Sequence, residues 1–512
     1  MDEHYDVIVV GGGGAALCAA LGAKEKGAKV LLISKTAIAK ANCTAFAGGG
    51  FTFAGPGVSW QEHRDKTLET GRLINDHELL EDFSQHGPLS VLNLQRYGVK
   101  SQVHPNGCSV AAYAPNRRVG GLGLTLPLME EAIKKGVDLL DGHFVYAIKP
   151  EESHFQVDFF NLNDGKNHSL NAFSVIMATG GGGRTYGRTN NPVATTGDGY
   201  HMLYELGLPF RDMEFVQFYP IGLAEPELPI WFIDLGIIDQ VPLTNSLGQE
   251  FLLDLLKSWG LKSGREGNLY ARDRCSIALA ESWQKGDFPI LHLNQMTPEQ
   301  WDNPYYKSLL LLNRKHFDFT QIPIRVRPLV HYMSGGVVID KNGATELPGL
   351  FACGEVTGGL DGANRIGGNA LTNISHFGLK AGKNAALYAQ ERKAKIATRS
   401  KTELPNLDGS IKAKDLKITL NKTMDTHAGP LRDKKGLETG LKQVEEIKEF
   451  LPQVSAQSPK ELRDYFELKS MLTTAQMILT GALAREESRG VHFRKDFPLE
   501  LKEWQKPILQ RK

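Results

Sequence analysis

Gly11-Gly12-Gly13-Gly14-Ala15-Ala16 stands between a β-branched run, Tyr5 to Val10, and an Ala-rich stretch that closes at Gly27. Gly11, Gly13 and Ala16 fill the spacing G-x-G-x-x-G/A at a strand-to-helix turn. In that setting glycines permit the tight turn, and backbone amides reach a pyrophosphate at the positive end of the helix. The chemistry expected here is dinucleotide binding, with Gly11, Gly13, Gly14, Ala15 and Ala16 as contacts. Where such sites carry an acid for the ribose, the chain reads Ile33-Ser34-Lys35-Thr36. Ser34 leaves a weaker hydroxyl contact, with Lys35 beside it. That argues against a nicotinamide dinucleotide and leaves a flavin dinucleotide open, since its grip is spread over several segments. Further glycines cluster at Gly48 to Gly50, Gly180 to Gly183, Gly335 to Gly336, Gly358 to Gly359 and Gly367 to Gly368, each beside an apolar or small-residue segment. The chain has 54 glycines in 512 residues, roughly one and a half times the usual frequency. The clusters read as backbone passing close to an extended ligand.

The elements that must hold these turns can be read coarsely. Tyr5 to Val10, the helix up to Lys26 and Lys29 to Ile33 make one strand-helix-strand unit. Phe173 to Met177 and Gly349 to Cys353 are further strands ending in glycine-rich turns, so the sheet draws on distant parts of the chain. Pro220 to Pro323 shows no parallel-strand rhythm and reads as an inserted domain. Glu391 to Ser410 is polar, with Arg392, Lys393, Lys395, Arg399 and Lys401, and reads as a linker. Beyond it, Leu437, Leu441, Val444, Ile447 and Leu451 mark one amphipathic helix. Ser458-Pro459-Lys460-Glu461 starts a second, which carries Leu462, Tyr465, Leu468, Leu472, Ala475 and Leu479 on one stripe. A C-terminal antiparallel helical bundle is expected.

Composition narrows the partners. Lys+Arg 59 against Asp+Glu 58 leaves +1, so bulk charge draws the chain to neither nucleic acid nor an acidic membrane surface. Apolar runs such as Val7 to Val10 and Leu309 to Leu312 fall far short of the ~18 residues that span a bilayer. Asp2, Glu3 and Asp6 are unlike the basic start of a secretory signal, and the chain is expected to be cytoplasmic, at the membrane only through partner subunits. Cys18, Cys43, Cys108, Cys275 and Cys353 form no C-x-x-C pair, so no disulfide framework and no metal site is expected on this chain.

Several ordered motifs then resemble one family. Ala178-Thr179-Gly180-Gly181, Thr196-Gly197-Asp198-Gly199 and Arg211-Asp212-Met213-Glu214-Phe215-Val216-Gln217-Phe218 resemble the central FAD segment of the flavoprotein subunits of succinate dehydrogenase and fumarate reductase. His331-Tyr332, Cys353-Gly354-Glu355 and Gly362-Ala363-Asn364-Arg365-Ile366-Gly367-Gly368-Asn369-Ala370-Leu371 resemble its C-terminal FAD and substrate segment. Leu483-Ala484-Arg485-Glu486-Glu487-Ser488-Arg489-Gly490 resembles a helix end in the bundle of the complex-forming members and of L-aspartate oxidase. The resemblance implies an α/β fold: a Rossmann-like FAD-binding domain (1–218 and 324–392), an inserted α+β capping domain (219–323) and a C-terminal helical bundle (405–512). It implies FAD with its adenosine at the first glycine loop and Glu355, after Gly354, on the ribose. Ala178, Thr179, Gly180, Thr196 and Asp198 belong to the same grip. The isoalloxazine is implied near Thr44 and Gly48, Gly49 and Gly50, and near Asn369, Ala370 and Leu371. A carboxylate suits ribose hydroxyls, and glycines let the chain lie against a flat ring. Arg365, also close to the cofactor, matches the arginine that clamps a substrate carboxylate, work suited to a guanidinium fork. Arg272 matches the arginine that protonates the substrate α-carbon. With a pKa above ~12 in water it needs a short relay, and an ion pair with Asp273 is its structural alternative. His331 matches a histidine facing substrate, with Tyr219, Asp273 and Gly367 nearby.

Departures from the family pattern carry as much weight. Asn42-Cys43-Thr44 stands where the family's flavin-linking histidine precedes a threonine, so FAD is expected to be non-covalent. Tyr219-Pro220-Ile221 replaces a second histidine. Between Leu228 and Leu247, Trp231, Phe232, Ile233, Ile237 and Ile238 replace the segment that completes a dicarboxylate pocket, and Asp361 precedes Gly362 where histidine is frequent. The expected activity is FAD-dependent hydrogen transfer across a C–C bond next to a carboxylate or carbonyl, on a saturated or unsaturated acid other than a plain C4 dicarboxylate. An iron-sulfur protein is the expected electron partner. Alternatives are an oxidase like L-aspartate oxidase and an electron-transfer subunit without substrate chemistry of its own.

Overall fold

The computed structural model describes residues 4–113, 120–314, 317–392 and 402–512. Asp2 and Glu3, and Lys393, Lys395, Arg399 and Lys401 of the polar segment, lie outside the described residues.

The β-branched run becomes strand His4–Val10, central in a seven-stranded sheet. It pairs in parallel with Val30–Ile33 on one side and Asn167–Met177 on the other. Asp138–Leu140 extends one edge, and Leu350–Ala352 pairs in parallel with Asn167–Met177. Phe155–Asn161 and His143–Pro150 continue the sheet antiparallel. Helix Gly14–Lys24 shows little amphipathic bias because Gly14 through Ala23 are all buried. Its small residues let it lie almost backbone to backbone on helix Asn369–Gln390: a Cβ on Gly22 would meet Leu379 O at 2.3 Å, and one on Gly382 would meet Ala19 O at 2.0 Å. The two helices anchor the two parts of the chain that frame the sheet's C-terminal edge.

Strands Val216–Leu223 and Ile324–Met333 pair antiparallel and run from one core into another. Val216, Phe218, Val330 and Met333 belong to the first core, while Ile221, Leu223, Ile324 and Val326 belong to a second. In the ladder Gln217 faces Tyr332 and Phe218 faces Val330, which leaves His331 as the extra residue of a β-bulge. Bulges re-aim side chains, and this one falls where the two cores meet.

The C-terminal part contains helices Ala413–His427, Lys434–Glu449 and Pro459–Ala484. The first of them was not marked by the sequence pattern. Ser458 caps the last, accepting from Glu461 N, and the Glu461 carboxylate accepts from Gln457 N. No helix among the described residues is long and apolar enough to cross a membrane.

Candidate active site

The glycine loop opens a cleft enclosing ≈ 890 Å³ of empty space, its open mouth included. Gly11, Gly13, Gly14, Ala15, Ser34, Lys35, Thr44, Ala178, Thr179, Gly180, Asp198 and Glu355 all line it. Gly11 has φ 136°, and a Cβ there would strike Ala178 O on the neighbouring strand at 2.1 Å. Helix Gly14–Lys24 has no acid in its first turn, and its positive end faces the cleft as an anion site. Ala16 is fully buried behind the loop. Asn42, Cys43, Thr195, His143, Phe144, Val145 and Ile374 also line the cleft and were not singled out as contacts. Asn42 ties the loop to the next helix, its Nδ2 donating to Gly12 O at 3.1 Å while Oδ1 accepts from Ala45 N at 2.9 Å.

Lys35 turns its ammonium to Thr196 Oγ1, Asp198 and Glu467, at 2.8, 2.7 and 2.7 Å. Lys35 therefore fastens the cleft's rim to the helical bundle. Glu355 is half-buried at the cleft wall, and its Oε1 accepts from Met333 N at 3.0 Å. Burial pushes it up to about 7, against those backbone donors and Arg365. Gly354, at φ 79°, brings this segment against Ala15. Cys43 Sγ lies 3.5 Å from Thr195 Oγ1, and burial together with the charge of Glu355 pushes the thiol up to about 12.

Gly180 lines the cleft, whereas Gly48, Gly49, Gly50, Asn369, Ala370 and Leu371 are not among its lining residues. A Cβ on Gly48, Gly50 or Gly180 would meet no atom within 4 Å, so these backbones face open space, while Gly49 packs against Gly120. The Asn369 side chain is turned inward, to His63 Nε2 at 3.1 Å and Thr67 Oγ1 at 3.3 Å. Helix Asn369–Gln390, with Ala370 and Leu371 in its first turn, presents an N-terminus with no side-chain cap and no acid. An electron-rich ring system is stabilised at such a helix end. The anion site and the carboxylate in this cleft fit a flavin dinucleotide.

Beyond the cleft, two buried guanidiniums converge on one amide. Gln217 Oε1 accepts from Arg365 Nη2 at 3.2 Å and from Arg272 Nη1 at 3.4 Å. Its Nε2 donates to Asn364 Oδ1 and Arg365 O, each at 2.9 Å. Arg272 Nε donates to Asn268 O at 2.7 Å and Asn268 Oδ1 at 3.1 Å. Arg365 Nη1 donates to Ile366 O, its Nε has no partner, and its guanidinium lies 4.0 Å from the Tyr332 ring centre. Among the described residues, the hydrogen bonds of both arginines go to neutral acceptors only. Arg272 is pushed down to about 10 by burial and by Arg365. It also opens helix Arg272–Gln284, where the dipole disfavours a cation.

His331 is held well below its ordinary value by burial and by both arginines, so its ring is neutral. Nδ1 lies 3.2 Å from Asn190 Oδ1. A carbonyl oxygen only accepts, so with this amide orientation Nδ1 carries the hydrogen and Nε2 keeps a lone pair. The Tyr219 hydroxyl bonds Asn268 Oδ1 at 2.8 Å and accepts from Leu235 N at 3.0 Å, with Asp234 Oδ2 at 3.3 Å. Its ring centre lies 4.9 Å from the Arg272 guanidinium and 5.2 Å from the His331 ring. Asp273 does not pair with Arg272; its Oδ2 accepts from Arg72 Nη2 at 2.6 Å. Gly367 leaves room for Arg272, whose Nη2 would lie 2.9 Å from a Cβ there.

The expected apolar wall is narrower than the sequence suggested. Asp234 caps the turn Leu235–Asp239, accepting from Gly236 N, and the turn points Leu235, Ile237 and Ile238 into the second core beside Ile233. Ile233, Ile237 and Ile238 are therefore core residues. Phe232 remains at the site, 4.7 Å from Tyr219 and 5.6 Å from His331, with Trp231 stacked on it. The residues that sequence reasoning missed as site-builders are Gln217, quoted only as part of a motif, and Asn268. Asp361 accepts from the Tyr332 hydroxyl at 3.0 Å and is pushed up to about 6 by burial.

Comparison with known proteins agrees along the whole chain. Residues 6–371 match the family described as FAD binding domain, and residues 417–509 match the family described as fumarate reductase flavoprotein C-term. An uncharacterised FAD-dependent oxidoreductase of Methanocaldococcus jannaschii is 31% identical over 98% of this chain and 96% of its own. The fumarate reductase flavoprotein subunit of Mycobacterium tuberculosis is 30% identical over 97% of this chain and 93% of its own. A solved quinol-fumarate reductase with menaquinol molecules superposes with TM-score 0.87 at 26% identity, covering 100% of this chain and 98% of that one. With the glycine-loop cleft and the paired arginines, these matches make the chain an FAD-dependent oxidoreductase belonging to the succinate dehydrogenase and fumarate reductase flavoprotein family.

Proposed function

We propose that the protein transfers hydrogen across the C–C bond α,β to a carboxylate, on an acid with a single carboxylate and an apolar or aromatic remainder. The observation that carries this reading is the pair Arg272 and Arg365. Both are buried, and their hydrogen bonds go to neutral acceptors, with Asp234 near Arg272 and Asp361 and Glu355 near Arg365 but not bonded to them. A buried cation without a directly bonded anion is costly, and a substrate carboxylate relieves that cost.

FAD held in the cleft, without a covalent link, supplies hydride exchange at the substrate β-carbon. Arg365 holds the carboxylate with its unpartnered Nε and neighbouring nitrogens. In the reducing direction Arg272 gives one proton to the α-carbon, so hydride and proton together convert CH=CH into CH2–CH2. Its lowered pKa makes it a better acid than a free arginine. Asn268 joins Arg272 to the half-buried Asp234, whose Oδ2 accepts from Asn268 Nδ2 at 2.7 Å, and this link holds the guanidinium in place. Positive charge fixed where enolate-like charge develops supports the transition state. Tyr219, Phe232 and the neutral His331 face the far end of the substrate. An unpaired second carboxylate there would cost several kcal/mol, whereas apolar surface gains roughly 25 cal/mol per Å² buried.

Electrons come from a separate iron-sulfur protein in this reading. All five cysteines are free, and among the described residues no group of His, Cys, Asp and Glu could hold a metal ion. A relative from Methanothermobacter marburgensis is named as one of the subunits of a fumarate reductase (CoM/CoB), which supports a complex of several chains. The test is steady-state turnover with reduced methyl viologen and fumarate, crotonate or trans-cinnamate. The expected result is trans-cinnamate or crotonate as the best acid. Fumarate above ~10⁴ M⁻¹s⁻¹ in kcat/KM, and ahead of both others, would show a dicarboxylate enzyme.

A further inference from the structure

Two consecutive non-glycine residues, Arg72 at φ 56° and Leu73 at φ 63°, lie in the left-handed region. Such backbone persists only where the surroundings over-determine it. Here the turn is held on several sides. Gly71 O accepts from Ala363 N at 2.8 Å, two residues before Arg365, and Asp76 N donates to Gly359 O at 2.7 Å. Asn75 Nδ2 donates to Leu360 O at 2.7 Å. From the C-terminal segment, Arg489 Nη1 donates to Arg72 O at 2.9 Å. Across from these, the Arg72 side chain reaches the first turn of helix Arg272–Gln284, where Nη2 meets Asp273 Oδ2 at 2.6 Å.

One short turn thus grips both segments that deliver the site's guanidiniums. Its backbone holds the stretch leading into Arg365, and its one cationic side chain holds the residue after Arg272. The grip is unfinished: Arg72 Nε and Asp273 Oδ1 are each buried without a hydrogen-bond partner. The pair stands one bond short of a bidentate fork. Arg272 cannot be fixed by its own bonds alone, since those run to neutral acceptors at Asn268 and Gln217.

We propose that the Arg72–Asp273 pair is a clasp that sets Arg272 relative to Arg365, which makes Arg72 a positioning residue for proton delivery; this rests on reading Arg272 as the proton donor. The clasp also bears on pH. Facing Arg272 are Tyr219, Arg365, Asp234 and His331, with Asp273 behind it neutralised by Arg72. Removing the Arg72 charge leaves the Asp273 carboxylate uncompensated. That stabilises protonated Arg272, so the alkaline limb of kcat moves to higher pH.

The test uses the FAD-loaded full chain as wild type, Arg72→Lys, Arg72→Met and Arg72→Met with Asp273→Asn. Turnover is read with trans-cinnamate and reduced methyl viologen, and amide exchange is followed over residues 272–284. Arg72→Met is expected to lower kcat by between about 10- and 100-fold, with KM within about threefold. Its alkaline limb should move up, and exchange in the helix's first turns should quicken. Arg72→Lys, which keeps the charge and cannot form a fork, should lose kcat without moving the limb. The double variant should return the limb while kcat stays low. Full recovery of kcat and slow exchange in the double variant would overturn the clasp, as would unchanged exchange and kcat in either single variant. Should Arg72→Met not fold, Arg72→Lys and the double variant decide. If wild type turns over none of the acids, the proposed function fails, and the exchange measurement alone judges the clasp.

Discussion

A Cβ added to Gly367 would lie 2.9 Å from Arg272 Nη2, so the bare backbone at 367 is what lets that guanidinium settle beside Arg365. Gly367 is not in the left-handed region; alanine there changes space and not backbone strain. The methyl group should push Arg272 from Asn268 O, which it now reaches at 2.7 Å. Gly367→Ala is therefore expected to lower kcat by about 10- to 100-fold, with flavin content unchanged and the melting temperature within a few degrees. Steady-state kinetics beside a thermal melt check this, and a fully active variant would separate Gly367 from the chemistry.

Gln217 lets two like charges share one acceptor without neutralising either. Gln217→Glu would place a carboxylate where the amide stands. It would pair with both arginines and oppose an anionic substrate, so KM for trans-cinnamate should rise more than about tenfold, the order expected for loss of a charge-assisted contact. Gln217→Met, which adds no charge, should damage kcat more than KM. An unchanged KM in Gln217→Glu would mean that the substrate anion binds elsewhere.

What was legible in the sequence divides by range. The glycine loop and its helix are encoded within about 30 residues, and the cleft lining followed from them together with the motifs at Ala178 and Glu355. Arg272 and Arg365 were visible only through family motifs, because nothing local says that residues 93 positions apart share Gln217. The inward turn of Ile233, Ile237 and Ile238 hangs on the Asp234 cap, a hydrogen bond that apolar patterning does not register. The aim of His331 comes from a bulge defined by pairing with a distant strand. Arg72 and Asp273 are 201 residues apart; no spacing rule joins them.

A proton donor works only while protonated. Arg272 is pushed down to about 10, so reduction should hold a steady kcat up to about pH 9 and lose it as pH rises through about 10. Oxidation of the saturated acid needs the neutral form and should gain over the same range. His331, held neutral, should add no limb near its ordinary value of about 6.5. A reductive profile that falls between pH 6 and 8 would assign the donor to another group.

The Cys43 thiol is pushed up to about 12 by burial and Glu355, and is thus protonated at neutral pH. The thiolate is the reactive form, so no bond to the flavin is expected. Acid precipitation should release all the yellow colour into the supernatant, and Cys43→Ser should retain FAD as wild type does. Flavin fluorescence left on the denatured chain, and lost in Cys43→Ser, would reveal a thioether link.

Glu355 on the cofactor's ribose would make cofactor affinity depend on pH. Burial pushes its carboxyl up to about 7, with Arg365 opposing and Asp361 adding to the rise. Sugar hydroxyls donate to a carboxylate and gain less from a protonated carboxyl, so binding favours the ionised form and releases a proton whenever Glu355 starts out protonated. The sign follows by linkage: FAD affinity should be full above about pH 7.5, and the dissociation constant should rise up to about tenfold per unit as pH falls below about 7. Titrating apoprotein with FAD by flavin fluorescence between pH 5.5 and 8.5 measures this directly. Glu355→Gln should bind more weakly at pH 8 and lose most of the slope. Asp361→Asn separates the neighbour's contribution, since removing a nearby negative charge lowers the Glu355 pKa and moves the slope to lower pH. A wild-type affinity that stays flat across the range would mean that Glu355 does not touch the cofactor's hydroxyls.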